Sequence, residues 1–332
     1  MKIAVTGGAG FIGSHFIKHM LKKYGDYRIV NIDKLTYAGN TANLEEVKKE
    51  KRYGFIKEDI CNREAMERIL KGYDAIVNFA AESHVDRAVN QPELFLKTDV
   101  MGAFSLLEAA RKNGTGKYVQ ISSDEVYGSR EKGSFTESSP LNPANPYSAS
   151  KASADMLSLS YHKTYGLPVT IVRSSNNYGP NQYPEKLIPL FTTNALENIP
   201  LPLYGNGLQK REWLYVEDNC RAIDIILHRG ARGEIYNVSA GNEKENIAVA
   251  MEILRLTGKP ESLIKHVKDR PGHDLRYSIS SSKAEKLGWR PEVPFEKGME
   301  ITVNWYMKNF QWWQKIRKGE FAGYYQKQYG MK

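Results

Sequence analysis

Thr6-Gly7-Gly8-Ala9-Gly10-Phe11-Ile12-Gly13 is the stretch that decides how this chain folds. A short apolar run, Lys2–Val5, leads into it, and a helical apolar period runs from Gly13 to Tyr24. The loop therefore joins a buried strand to a helix. Gly8, Gly10 and Gly13 spell GxGxxG, and Gly7, Gly10 and Gly13 spell GxxGxxG. Glycines at these points permit a tight turn, let the backbone approach a pyrophosphate, and let helix pack on strand. The phosphates then sit at the positive end of the helix. Asp33 follows a second strand, Arg28–Ile32, about 20 residues on, where a carboxylate suits the ribose hydroxyl of NAD and repels the 2′-phosphate of NADP. Lys34 stands beside it.

Working outward, strand and helix signals alternate through the first half, the pattern of a doubly wound parallel sheet covered on both faces. Further strands are expected at Phe55–Glu58, Asp74–Phe79, Lys117–Ser122 and Val169–Arg173, with helices at Thr98–Lys112 and Tyr147–Tyr165. After Asn177, five prolines between Pro180 and Pro202 break the alternation. Leu214–Val216 and Ile235–Val238 read as strands returning to the sheet, and the remainder reads as mostly helix and loop. The expected organisation is a Rossmann-type NAD-binding domain over residues 1–178, with a returning segment at about 211–241. A smaller, mixed α/β C-terminal substrate lobe takes 179–332.

Composition narrows the function. The 332 residues carry 47 Lys and Arg against 38 Asp and Glu, a net charge of +9, but the two signs alternate along the chain as on solvated helix faces. No basic block is interleaved with aromatics, so nucleic acid is not an expected partner. Only Cys61 and Cys220 are present, far apart and without a His ligand set, so neither a disulfide framework nor a metal site is expected. No apolar run approaches the ~18 residues of a membrane span. A cytoplasmic location is expected.

Two further motifs carry chemistry. Tyr147 and Lys151 stand four apart, on one face of a helix that opens at Pro146. A neighbouring ammonium and a helix N-terminus both favour the phenolate, turning a poor base into a usable one. Ser123 can bond the same substrate oxygen. Ser122-Ser123-Asp124-Glu125-Val126-Tyr127-Gly128 then adds an acid and a base that simple oxidation of an alcohol would not need.

With these residues in hand, the chain resembles the extended short-chain dehydrogenase/reductase family, and within it the dTDP-glucose 4,6-dehydratases. The carriers are Thr6–Ser14, Asp33–Asn40, Asn78–Asp86, Ser122–Gly128, Tyr147–Lys151, Arg211–Asp218 and Arg270–Asp274. The Asp-Glu pair is the most discriminating, since related 4-epimerases lack an acid pair there and related decarboxylases typically have Ser-Glu. The resemblance implies a hydro-lyase that oxidises the sugar at C4, eliminates water across C5–C6 and returns hydride to C6. The 4-keto-6-deoxy product feeds rhamnose and other deoxysugars. Tyr147 with Lys151 and Ser123 would serve the oxidation, Glu125 would take the C5 proton and Asp124 would protonate the leaving hydroxyl.

The resemblance further implies NAD contacts at Gly7, Gly10, Phe11, Ile12, Gly13, Asp33, Lys34, Thr36, Asp59, Ile60, Ala80, Ala81, Thr98, Tyr147, Lys151 and Asn176. It implies substrate contacts at Ser83, His84, Ser123, Asn176, Glu185, Lys186, Leu187, Arg211, Asn246, Arg270 and His273. Arg211 and Arg270 suit a diphosphate, which guanidinium binds bidentately. A homodimer built from the helices near Thr98 and Tyr147 is implied as well. Three positions depart from the pattern: Asp99 where Asn is usual, Gln209 in place of an Asn before Arg211, and Asn219 in place of a common His. A 4-epimerase, a decarboxylase, a dehydratase of another nucleotide and a non-catalytic NAD-responsive binder are the competing readings.

Overall fold

The computed structural model describes residues 1–269, 274–319, 321, 323, 325 and 326. In chain order the strands are β1 (Lys2–Thr6), β2 (Arg28–Asp33), β3 (Tyr53–Lys57), β4 (Ala75–Asn78), β5 (Lys117–Ser123), β6 (Val169–Ser174), β7 (Asn176–Tyr178), β8 (Leu201–Tyr204), β9 (Lys210–Tyr215), β10 (Glu234–Val238), β11 (Glu243–Glu245) and β12 (Ile264–Val267). Seven of them form one sheet in the order β10-β6-β5-β4-β1-β2-β3, and every pairing in it is parallel. This is the doubly wound α/β architecture. The strand order reverses between β1 and β4, which opens a crevice at their C-terminal ends.

Burial on both faces explains why these strands read as continuous apolar runs and not as alternating ones. Ile3 and Val5 belong to one core cluster, with Phe16 and Met20 of the helix Phe11–Lys23 and Ile223 and Leu227 of the helix Val216–Arg229. Ala4, between them, faces the opposite cluster, with Met66, Leu106, Leu107 and Tyr161 from the helices Arg63–Ile69, Ala103–Asn113 and Pro146–Tyr165. A third cluster, including Phe191, Leu203, Trp213, Ile253 and Phe295, forms a smaller lobe around two short sheets, β11-β9-β7 and β12-β8.

Two expectations change. Ile235–Val238 does return, pairing with β6 as β10, but Leu214 and Tyr215 do not. They lie in β9, which runs antiparallel to β11 and parallel to β7, while Val216 opens a helix. Their partner β7 follows β6 after one residue, Ser175, yet belongs to the smaller three-stranded sheet. The helix expected from Thr98 is also preceded by helical turns from Pro92, including a wide stretch, Leu96–Gly102, with i→i+5 bonding before the ordinary helix resumes at Ala103. Wide turns of this kind recur at functional sites.

One polar cluster clasps two helices on the face away from the crevice. Asp224 accepts hydrogen bonds from His19 Nε2 at 2.9 Å, Lys23 Nζ at 2.6 Å and Tyr24 Oη at 2.9 Å. Burial alone would raise its carboxyl, but the hydrogen bonds from His19, Lys23 and Tyr24 outweigh it and bring the pKa down to about 2. The folded-state value lies below the unfolded one, so this stabilisation is complete above pH ~4 and is lost as pH falls through about 2. Asp224→Ala is expected to lose about 2 kcal/mol at neutral pH, read from denaturant midpoints, and to lessen the acid sensitivity of the wild-type midpoint.

Candidate active site

The crevice at the strand switch opens into a cleft of about 390 Å³. Its floor is the glycine loop. Gly7 adopts φ +67°, and a Cβ there would fall 2.6 Å from Ala80 Cα on the adjoining β4 loop. A Cβ on Gly13 would fall 2.5 Å from the Gly7 carbonyl oxygen. Gly10 precedes the helix Phe11–Lys23, and no side chain caps that helix, so its first N–H groups are left for a ligand. Asp33 Oδ2 accepts from Ala9 N at 3.0 Å and Oδ1 from Leu35 N at 2.8 Å, fixing the carboxylate at the end of β2. Burial pushes the Asp33 carboxyl up, and those two N–H bonds pull it partly back. A cradle of bare backbone with an oriented carboxylate beside it fits a dinucleotide.

Next to this floor, β5 ends in the tight turn Asp124–Tyr127. Ser123 caps it, its hydroxyl accepting from Glu125 N at 3.2 Å and donating to Asp124 Oδ1 at 3.3 Å. The turn rests on a buried ionic network. Arg173 Nε donates to Asp155 Oδ2 at 2.9 Å and Nη1 to Tyr127 Oη at 2.8 Å, while Ser122 Oγ donates to the same Asp155 oxygen. Asp124 is buried and its Oδ2 has no partner among the described residues. Burial first, then the nearby Glu125 and Glu212, hold its carboxyl well above the usual range. Glu125 is half-buried and faces the cleft.

The helix Pro146–Tyr165 supplies the remaining pair. Asn145 caps it reciprocally, accepting from Ser148 N at 3.0 Å while its own N–H reaches Ser148 Oγ at 3.2 Å, which places Tyr147 in the first turn. Lys151 Nζ donates to the Ile121 carbonyl at 2.6 Å and is buried. The expected lowering of the Tyr147 phenol is not what these side chains produce. Burial raises it, Glu125, Asp99 and Asp124 add to the rise, and a hydrogen bond with Ser123 only partly offsets them. Three carboxyl groups crowd one phenol, a fact invisible in the Tyr-x-x-x-Lys spacing.

All the residues expected at the site line this one cleft, apart from Arg270 and His273, which lie outside the described residues. On the dinucleotide side are Gly7, Gly10, Phe11, Ile12, Gly13, Asp33, Lys34, Thr36, Asp59, Ile60, Ala80, Ala81 and Thr98. On the other side are Ser83, His84, Asn176, Glu185, Lys186, Leu187, Arg211 and Asn246. Lys34 pairs with Asp59 at 3.5 Å. Lys186 Nζ donates to the Ser83 carbonyl. Arg211 Nη2 donates to the Asp274 carbonyl at 2.9 Å, and the guanidinium lies 4.5 Å from the Tyr277 ring centroid.

Glu185 is committed to the protein. Its carboxylate accepts from Tyr37 Oη at 2.9 Å and Arg87 Nε at 3.0 Å, and the Arg87 guanidinium stacks 3.7 Å from the Tyr37 ring centroid. It ties Tyr37 and Arg87 to the stretch before the helix Leu187–Leu196. Pro202, Tyr204, Trp213, Tyr277, Asn177 and Gln182 also line the cleft and were not anticipated. Buried polar atoms without partners among the described residues (Asn176 Oδ1, Gln182 Oε1, Trp213 Nε1 and Asn246 Oδ1) line this side, as a polar ligand requires. The departures at Gln209 and Asn219 are absorbed locally: Gln209 Nε2 donates to Asp269 Oδ2 at 3.0 Å, and Asn219 Nδ2 to Asn177 Oδ1 at 2.9 Å.

Fold and site together define an NAD-dependent enzyme of the short-chain dehydrogenase/reductase type, equipped for elimination as well as oxidation. The chain belongs to the GDP-mannose 4,6 dehydratase family, whose model matches residues 4–302. It is 45% identical over 327 residues to the dTDP-glucose 4,6-dehydratase of Streptomyces niveus, covering 97% of each chain. Among solved structures it superposes at TM-score 0.94 on DesIV, the dTDP-glucose 4,6-dehydratase of Streptomyces venezuelae solved with NAD bound, at 48% identity over 95% of this chain and 100% of that one. The NAD complex of a Thermus thermophilus UDP-glucose 4-epimerase superposes at 0.86, at 31% identity over 93% of this chain and 100% of that one.

Proposed function

We propose that Tyr147, Glu125 and Asp124 carry out, in that order, the proton transfers of an NAD-dependent dTDP-glucose 4,6-dehydratase. The observation that carries the reading is the company kept in one cleft: a buried carboxyl at Asp124 whose Oδ2 has no partner among the described residues, a half-buried carboxyl at Glu125, and a phenol beside both. Gly7, Gly10, Gly13 and Asp33 would hold NAD, which would supply the acceptor for the C4 hydride of the sugar and the donor of the same hydride at C6. Tyr147 accepts the O4 proton, with Ser123 bonded to it and Lys151 one helical turn behind. The 4-ketone acidifies C5, and Glu125 takes that proton. Asp124 protonates the C6 hydroxyl, which leaves as water. A proton at C5 and hydride at C6 complete the 4-keto-6-deoxyglucose unit, and no net reduction of NAD remains. Separate environments for the two carboxyls are what opposite roles require.

Residues 1–178 with the returning strand β10 hold the dinucleotide in this reading, and the smaller lobe, β9 included, holds the nucleotide sugar. Lys186 and Arg211 supply positive charge toward its diphosphate. Its product supplies rhamnose or another deoxysugar. Val89, Leu94, Met101 and Met156 are all roughly half exposed on the helices between Val85 and Tyr165. A homodimer covers them, and light scattering at about twice 37.7 kDa is the expected result. The two unbridged cysteines fit a reducing cytoplasm.

Product analysis tests the reaction directly. Incubated with dTDP-glucose, the protein is expected to yield a product lighter by one water, with no accumulation of NADH. A mass-neutral isomer, from dTDP-glucose or from UDP-glucose run in parallel, would replace this reading with epimerisation.

A further inference from the structure

Asp99 is a buried carboxylate that the reaction above does not use. It lies in the wide helical stretch Leu96–Gly102 and is 3% exposed. Its two oxygens reach two different elements. Oδ1 accepts from Glu82 N at 2.9 Å, in the loop that also carries Ser83 and His84. Oδ2 accepts from Ser150 Oγ at 2.7 Å, on the helix of Tyr147 and Lys151. Ser150 Oγ also lies 2.8 Å from the Tyr147 carbonyl. The carboxylate thus sits behind the catalytic pair, joined to it through the residue between its members.

An Asn, usual here in the enzymes this chain resembles, could make the same two contacts: its carbonyl oxygen would accept from Glu82 N, and its amide would donate to Ser150 Oγ. Hydrogen bonding therefore does not account for the acid. What Asp adds is charge, in a place where water screens little. The groups that face it are Lys151 and Tyr147 from the helix Pro146–Tyr165 and Glu82 from the loop after β4. Glu125 and Asp124 press on the same phenol from the turn after β5, and Lys34, Arg87 and Asp59 surround Glu82.

We propose that Asp99 is a positioning residue whose negative charge opposes loss of the Tyr147 proton, so that C4 oxidation switches on at a higher pH than the motif alone would set. The sign follows from Coulomb's law: an anion near the phenol disfavours phenolate. Burial lifts the Asp99 carboxyl to about 6, against the pull of Lys151, Ser150 and the Glu82 N–H. The charge is thus present at neutral pH and fades below it.

The inference rests on Tyr147 as the proton acceptor, and one experiment separates the two. Reduction of bound NAD by dTDP-glucose is followed in a single turnover across pH, for the wild type, Asp99→Asn and Ser150→Ala. A wild type that never reduces NAD would overturn the dehydratase reading itself. Given that reduction, the acidic limb of Asp99→Asn is expected to lie about one pH unit lower, so that the variant runs about tenfold faster on that limb. Ser150→Ala removes one of the bonds that keep the Asp99 carboxylate ionised and should move the limb in the same direction by less. A limb that stays put in Asp99→Asn, moves to higher pH, or gives way to a uniform loss of rate would overturn the inference. If the Asn variant does not fold, Asp99→Ser is also uncharged and must show the same displacement.

Discussion

A Tyr147→Phe enzyme is expected to fold, bind dTDP-glucose with nearly unchanged affinity, and oxidise it about a thousandfold more slowly. The substitution removes one oxygen and little else. The aromatic ring keeps its edge contact with Phe95, whose centroid is 6.2 Å away, and the helix keeps its Asn145 cap. What disappears is the oxygen proposed to accept the O4 proton, and its bond with Ser123. Because that transfer accompanies hydride loss from C4, the defect belongs in the first step. Stopped-flow absorbance of reduced nicotinamide reads it directly, and an undiminished burst would remove Tyr147 from its role.

Glu125→Gln should fail at the next step and look quite different. The side chain keeps its length, and the backbone N–H of residue 125 still bonds Ser123 Oγ. Glu125 is also one of the groups that push the Tyr147 phenol up. Removing its charge therefore leaves C4 oxidation intact or makes it easier. With no base at C5, elimination stalls and overall turnover falls about a thousandfold. The expected result is bound NADH rising to about one per site upon addition of substrate and decaying slowly. Normal turnover in this variant would mean that another group takes the C5 proton.

The parts of this molecule legible in the sequence are those whose physics is local. A glycine loop between a strand and a helix, a carboxylate at the next strand end, and a Tyr and a Lys one turn apart each state their geometry within a few residues. The Asp-Glu pair adds the step that oxidation lacks. Pairing across the fold was harder to read. Leu214 and Tyr215 have strand character whichever sheet receives them, and only their pairing with β7 decides it. Glu185 meets Tyr37 and Arg87 across 148 and 98 residues of chain, so its role as a tie had no local signal. Asp99 could be seen as a departure, but its two contacts belong to tertiary structure. Burial and the three carboxyl groups around Tyr147 work against the phenolate that Lys151 and the helix N-terminus favour.

The crowding at Gly7 and Gly13 bears on which sequences can drift and which cannot. At one wall of the cleft, backbone lies so close to backbone that even a methyl group would collide, 2.6 Å from Ala80 Cα at one glycine and 2.5 Å from the Gly7 oxygen at the other. No neighbouring side chain can step aside to make room. The opposite wall is made of side chains such as Lys186, Tyr204, Arg211 and Trp213, which can change without the backbone having to move. Inherited change is thus channelled to one side of the molecule, where new sugars and new nucleotides can be tried while the cofactor wall stays as it is. Such a lopsided tolerance accounts for an epimerase and a dehydratase keeping nearly the same backbone after two-thirds of their residues have diverged.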